Sequence, residues 1–359
     1  MPEPEIPLFG VVLSDLFMSP TSVTFCFLLL AVLLMIWSYI LRSFWSHPSK
    51  TRSMLIKFSI SSATTIVLFL ILELVFYSFV ISDGFNFTLA SHRWFAKYWN
   101  PINSLGYRDI EHSPAEFRDK RVIWVVGDSF VAGQGISRIE NRFSDVLRHN
   151  LGDRYLVAIV AQPGWNTADE YKAMLSYPYP PKRIILCYFV NDVIGANLKL
   201  GYGYPPHAER PHNRILKYTI EHSYLINFGY WRLFRFYKRD MGKKDWEYLE
   251  WSYANPNIWK AHEAELAQIV AYGRDHGIAL TVLLIPSLTD VKGSAPITSK
   301  VAEFFQAHDV PVLNLGPLLE GRDPGSMIVN SMDAHPNEAL SKEIGELLTL
   351  QIQSEELTK

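Results

Sequence analysis

Two long apolar stretches occupy the first quarter of the chain, and short apolar runs separated by amphipathic segments fill the rest. Leu16 to Leu41 is 26 residues without a charge, and Phe58 to Ser82 is 25 residues whose only charge is Glu73. A helix crosses the hydrocarbon core of a bilayer with about 20 apolar residues. The pattern therefore predicts a two-helix transmembrane hairpin, with helices at about 21–41 and 59–81. A signal peptide fits the first stretch poorly, because Glu3, Glu5 and Asp15 precede it and the run is too long. The loop between the stretches carries Arg42, Lys50, Arg52 and Lys57 and no acid. Basic loops stay in the cytoplasm, so both termini and everything after Ser82 are expected on the extracytoplasmic side, periplasmic or extracellular. Glu73 falls past the middle of the second span. An acid there either stays protonated or reaches the outer interface, or it contacts a membrane partner.

Beyond the hairpin (1–82) comes an aromatic connector, 83–120, with Phe85, Phe87, Trp94, Phe95, Tyr98 and Trp99, ending in the turn-like segment Asn103 to Asp109. The pattern then becomes regular. Val122–Val126, Leu156–Ala161, Ile184–Val190, Ala279–Ile285 and Val310–Leu315 are continuous apolar runs, as strands buried on both faces require. Helix-like stretches lie at about 140–151, 167–176, 257–276 and 297–307, and a last one runs from Asn337 to Gln353. Five strands alternating with helices predict an α/β three-layer sandwich built on a parallel sheet, spanning 121–355. Residues 195–253 break the rhythm with an aromatic insertion, in which Arg232, Arg235, Lys238, Arg239, Lys243 and Lys244 interleave with rings after Tyr230. It reads first as an inserted helical subdomain, and otherwise as a lid over a site or a surface resting on lipid headgroups.

Composition narrows the classes. The 359 residues carry 34 basic and 36 acidic side chains, a net charge of −2, with 48% hydrophobic and 19% charged residues. That excludes a strongly basic nucleic-acid binder and a disordered chain. Cys26 and Cys187 are the only cysteines, and no Cys/His spacing suggests a zinc site. Neither a metal nor a cofactor is expected.

The chemistry gathers at strand ends. Gly127-Asp128-Ser129-Phe130 follows the first strand, at the carboxyl edge where open parallel sheets bind ligands. Asp333-Ala334-His335-Pro336-Asn337 precedes the last helix. A serine hydroxyl becomes a nucleophile when a base takes its proton, and His335, oriented by Asp333, suits that role. Gly164 follows the second strand and Asn191 the third. With the Ser129 N–H they offer three donors for a developing oxyanion. Asp128 is expected to shape the serine turn.

These four blocks, in this order, resemble the SGNH/GDSL hydrolase family. Its serine block matches Gly127-Asp128-Ser129-Phe130 followed by Gly133-Gln134-Gly135, its glycine block Gly164, its asparagine block Asn191-Asp192, and its histidine block Asp333-Ala334-His335-Pro336-Asn337. The resemblance covers about 121–355. It implies a flavodoxin-like α/β/α fold and an acyl-serine mechanism on esters without a metal, with Ser129, Asp333 and His335 catalytic and Ser129, Gly164 and Asn191 forming the oxyanion hole. The chain departs from the family in having Ala161-Gln162-Pro163 before the glycine, and an aspartate two residues before the histidine where many members have three. The hairpin and the 195–253 insertion lie outside the family core.

The leading expectation is a membrane-anchored serine esterase or deacylase acting on an ester, foremost O-acetyl, of an envelope glycan or lipid. The alternative is an O-acyltransferase that moves an acyl group to an exported polysaccharide or glycolipid, supplied by a membrane acyl-donor protein. A third is a non-catalytic assembly or binding component. The expected partners are the ester-bearing substrate and membrane lipid, with no nucleic acid.

Overall fold

The five apolar runs become five parallel strands: β1 (Arg121–Gly127), β2 (Tyr155–Ala161), β3 (Arg183–Phe189), β4 (Ala279–Ile285) and β5 (Val312–Asn314). The computed structural model describes residues 20–44, 49–84, 88–204, 210–238 and 240–357. Their strand order is β2-β1-β3-β4-β5, the doubly wound order in which the chain reverses direction across the sheet beside β1 and β3. Alternate residues of β1 serve opposite faces. Val122, Trp124 and Val126 join Met174, Ile258, Ile269 and Val301 in one apolar layer. Ile123 and Val125 join Phe143, Leu147, Ile344 and Leu348 in the other. Helices therefore cover both faces, and the continuous apolar character of the strands follows from having no wet side. Each such side chain, fully buried, contributes roughly 1.5–3 kcal/mol.

The expected strand and helix positions are all occupied, with shifted ends. Val291–Gln306 starts earlier than 297 because Asp290 caps it by accepting from Gly293 N at 2.8 Å, and its first turns lack a regular apolar stripe. A small antiparallel pair was not anticipated: β6 (Ile328–Asn330) and β7 (Asp333–Pro336). Its strands are three and four residues long, too short for a periodicity to register.

The described residues of Met1–Ile81, Phe85–Arg93 and Glu209–Lys238 form a separate compact unit. It contains helices α1 (Pro20–Phe44) and α2 (Lys50–Tyr77). Among the described residues, α2 alone is long and apolar enough to cross a membrane, and α1 contributes the shorter apolar stretch Leu29–Ile40. The two helices pack on each other. Their buried positions are mostly small (Ala31, Ser38, Ser59 and Ala63), which lets the two helix backbones approach closely. The helix begins at Lys50 rather than near 59, because Ser49 caps it by accepting from Arg52 N at 3.1 Å. Lys50, Arg52 and Lys57 thus lie on the helix, not in a loop. Lys and Arg are good helix formers, and an apolarity criterion cannot see them. The tail before residue 20, with Glu3, Glu5 and Asp15, lies outside the described residues.

Glu73, 6% exposed, is engaged within this unit. Its carboxylate accepts from the Ser223 hydroxyl at 2.8 Å, from Tyr224 N and from Leu225 N at 3.1 Å. It thereby satisfies free N–H groups at the start of helix Tyr224–Tyr237, where a helix favours an anion. The 195–253 stretch holds helices Ile194–Lys199, Arg214–His222, Tyr224–Tyr237 and Asp240–Ala254, but it is not one subdomain: the described part of Glu209–Lys238 belongs to this unit and its flanks to the other.

Candidate active site

The end of β1 sets the serine. Gly127 lies so close to the neighbouring strand that a Cβ there would stand 3.1 Å from Cys187 O and 2.5 Å from Val131 Cγ2. Asp128 then caps the one-turn helix Ser129–Ala132, its carboxylate accepting from Phe130 N at 2.9 Å. The turn closes at Gly133, whose φ of 75° is the left-handed region that glycine adopts without strain. Asp128 thus shapes the serine turn, as the sequence suggested.

The histidine arrives on β7. Residues two apart on an extended strand share a face, so Asp333 and His335 project together. The Asp333 Oδ1 accepts from the His335 N–H at 3.2 Å and pairs closely with His335 Nδ1. The other ring nitrogen, Nε2, lies 2.7 Å from Ser129 Oγ. Ser129 is 8% exposed and Asp333 0%. Asn337 holds the hairpin and the following helix in place: its N–H donates to Met327 O at 2.8 Å, its amide to Ser326 O at 2.8 Å, and its Oδ1 accepts from Leu340 N at 2.9 Å. Phe130 stacks on Phe189 with centroids 4.1 Å apart and lies 4.8 Å from the His335 ring, a shelf that restricts the imidazole.

The electrostatics suit a base. Burial alone would lower the His335 pKa, but the Asp333 charge and hydrogen bond outweigh it and hold it above the usual 6.5. Burial would raise Asp333, but the His335 charge and hydrogen bonds from His335 and Ser82 keep it below the ordinary 3.8. Three further acids lie buried nearby: Asp128, Glu170 and Asp192. Burial raises all three, Glu170 and Asp192 most, and their mutual charges raise Glu170 and Asp192 further. Neither Glu170 oxygen has a hydrogen-bond partner among the described residues.

The positions of the two other candidate donors, Gly164 and Asn191, follow from strand register. Ala161 pairs with Gly127, and Gly164 lies three residues on, at φ 81°. Phe189 ends β3, and Asn191 follows with its side chain beside Asp128 and its Oδ1 unpartnered among the described residues. Both residues stand at strand ends neighbouring β1. No hydrogen bond joins Gly164 to the Ser129–His335–Asp333 chain among the described residues.

Sequence reading missed the support beneath the serine turn. Arg108, 1% exposed, donates to Gly133 O at 2.6 Å, Ile136 O at 2.7 Å and Tyr98 O at 2.8 Å. Arg142 donates to Asp145 at 2.7 Å and to Arg108 O. Burial, then the Arg142 charge, lowers Arg108 to about 9. The signal available was Arg108 in the turn-like segment upstream. It also missed Ser82, whose hydroxyl donates to Asp333 Oδ2. Ser82 looked like the last residue of an apolar span. Among the described residues no group of three or more His, Cys, Asp or Glu is placed to hold a metal.

No family model matches the chain, and no curated protein does either. Solved structures similar to it include the psychrotrophic esterase EstA from Pseudoalteromonas sp., at 12% identity and TM-score 0.39, covering 66% of this chain and 98% of that one. A carbohydrate acetylesterase family member from Sinorhizobium meliloti matches at 13% identity and TM-score 0.37, covering 65% and 98%. The lipase/acylhydrolase from Enterococcus faecalis matches at 13% identity and TM-score 0.38, covering 66% and 96%.

Proposed function

We propose that this chain is a membrane-anchored serine esterase that cleaves an ester, foremost an O-acetyl ester of an envelope glycan or lipid, through an acyl-serine intermediate. The observation that carries the reading is the unbroken hydrogen-bonded chain from Ser129 Oγ through His335 to Asp333.

In the reaction, His335 Nε2 takes the Ser129 proton as Oγ attacks the ester carbonyl. Asp333 fixes the tautomer with the proton on Nδ1 and stabilises the imidazolium that forms. The Ser129 and Gly164 N–H groups and the Asn191 amide receive the oxyanion, each donor being worth about 10²–10³ in rate. Collapse expels the alcohol, which takes the proton from His335 and leaves Ser129 acylated. Water, deprotonated by His335, attacks the acyl group and releases the acid and the free serine.

Helix α2 supports the anchor, since its apolar side chains Met54, Phe58, Leu68 and Leu74 are exposed and lipid would cover them. The basic residues Arg42, Lys50, Arg52 and Lys57 at one end of the helix pair favour a cytoplasmic position for that end and an extracytoplasmic one for the catalytic part. We extend this to a hairpin in which α1 is the second span, the hydrolase-like domain occupying 121–355.

The test uses the full-length chain in detergent with a chromogenic acetyl ester, with and without a glycan acceptor. Acyl release to water that needs Ser129 is expected. Negligible hydrolysis with acceptor-dependent O-acetylation would establish an O-acyltransferase instead. Intact cellular function in Ser129→Ala would establish a non-catalytic role.

A further inference from the structure

We infer that Ser82 is a positioning residue for the Asp333 carboxylate, closing the hydrogen-bonded chain at the end opposite Ser129. The inference rests on the catalytic reading of Ser129, His335 and Asp333 above, and adds a fourth member.

A carboxylate has two oxygens. At Asp333 one of them, Oδ1, is engaged by the ring and N–H of His335. The other, Oδ2, accepts from the Ser82 hydroxyl. Both residues are buried, Ser82 at 2% exposure and Asp333 at 0%. A buried carboxylate oxygen left without a donor is costly. A carboxylate held at one oxygen can also rotate about Cβ–Cγ, carrying its partner out of line with the imidazole. Donors on both oxygens stop that rotation.

Ser82 is itself held. Its carbonyl accepts from the Asn330 side chain at 3.0 Å, while the same Asn330, through Oδ1, accepts from Met332 N at 2.8 Å. Two residues on, Gly84 N donates to Met332 O at 2.6 Å. There is no room for more: a Cβ on Gly84 would stand 3.1 Å from that same Met332 oxygen. Residues 82–84 thus form a strap along the loop that joins β6 to β7, and its hydroxyl reaches the triad acid from 251 positions earlier in the chain. These bonds run from residues 82–84 to Asn330 and Met332. They act on the β6–β7 pair, whose strand β7 carries Asp333 and His335.

The experiment compares full-length wild type with Ser82→Ala, Ser82→Thr and Ser82→Val on p-nitrophenyl acetate in detergent. Thr and Val have the same shape and differ by the hydroxyl. Ser82→Ala and Ser82→Val are expected to lower kcat about tenfold with KM unchanged, while Ser82→Thr stays within about twofold of wild type. Fluorophosphonate labelling of Ser129 should slow in parallel. A structural role alone would change the melting temperature without this split. Folded Ala and Val proteins with wild-type kcat would overturn the inference and leave the triad standing. Full turnover in His335→Ala would overturn the triad and the Ser82 role with it. If Ala and Val fail to fold, Ser82→Cys, a weaker donor of similar size, decides: a lowered kcat at unchanged KM supports the role, and a wild-type kcat overturns it.

Discussion

His335 Nε2 and the Ser129 hydroxyl stand 2.7 Å apart although 206 positions separate them in the chain. The contact predicts steep losses on substitution. His335→Ala is expected to lower kcat by about 10⁴-fold or more, and Asp333→Asn by about 10²–10⁴-fold through the wrong tautomer. Ser129→Ala should abolish fluorophosphonate labelling. Steady-state kinetics on a chromogenic ester and the intact mass of the labelled protein check all three.

The pH profile follows from the same pair. His335 accepts a proton only when neutral, and its pKa is held above 6.5 by Asp333 despite burial. The imidazole therefore stays protonated to higher pH than a free one, and the base becomes available as pH rises through that raised value. The acid limb of kcat/KM, followed from about pH 5 to pH 9, is expected to have its midpoint above 6.5. A midpoint below that value would contradict the arrangement.

Glu170 predicts a stabilising substitution. It is fully buried, with both oxygens unpartnered among the described residues, and burial followed by the Asp128 charge raises its pKa well above 4.5. A group whose folded pKa is raised binds its proton more tightly folded than unfolded. For a carboxyl this means stability is lost as pH rises from about 4.5 toward the folded value, because only the unfolded chain ionises freely. Glu170→Gln is always neutral and offers N–H donors to neighbouring Asp128 and Asp192. It should raise stability by on the order of 1 kcal/mol or more at pH 8, with a smaller gain near pH 5. Thermal unfolding at the two pH values checks the sign.

Glu73 predicts a local effect in the other unit. Its carboxylate serves the Ser223 hydroxyl and the N–H groups of Tyr224 and Leu225. Glu73→Ala leaves three donors without that acceptor and should cost about 1–3 kcal/mol. The loss would appear as faster hydrogen exchange at the start of helix Tyr224–Tyr237, with turnover on a soluble ester little changed. Glu73→Gln keeps one acceptor oxygen and should fall between.

The parallel sheet was legible because each strand is buried on both faces and therefore reads as an unbroken apolar run, as in Ile184–Phe189. Ser129 was legible because it follows β1, whereas Asp333 and His335 were legible only as a local motif, since they lie on β7, in a pair that shares no register with the parallel sheet. The β6–β7 pair was not, since three or four residues carry no measurable period. Arg108 and Ser82 were hidden for another reason. Each is a polar residue whose role depends on a partner far along the chain, Gly133 for one and Asp333 for the other, and neither belongs to a local pattern. Glu73 was legible as an oddity within an apolar helix, but its partners at 223–225 lie 150 positions away.

Ser82 follows the end of α2 by five residues, so on the inference above a residue just past the apolar helix steadies the acid of the candidate triad. A backbone cut between Tyr77 and Ser82 would leave the Ser82 hydroxyl on the same piece of chain as Asp333. A cut one bond later, after Ser82, would leave a piece of nearly the same mass in which that hydroxyl is no longer covalently joined to the acid it meets. On the proposed role of Ser82, the position of such a nick would set whether the cleaved protein turns over.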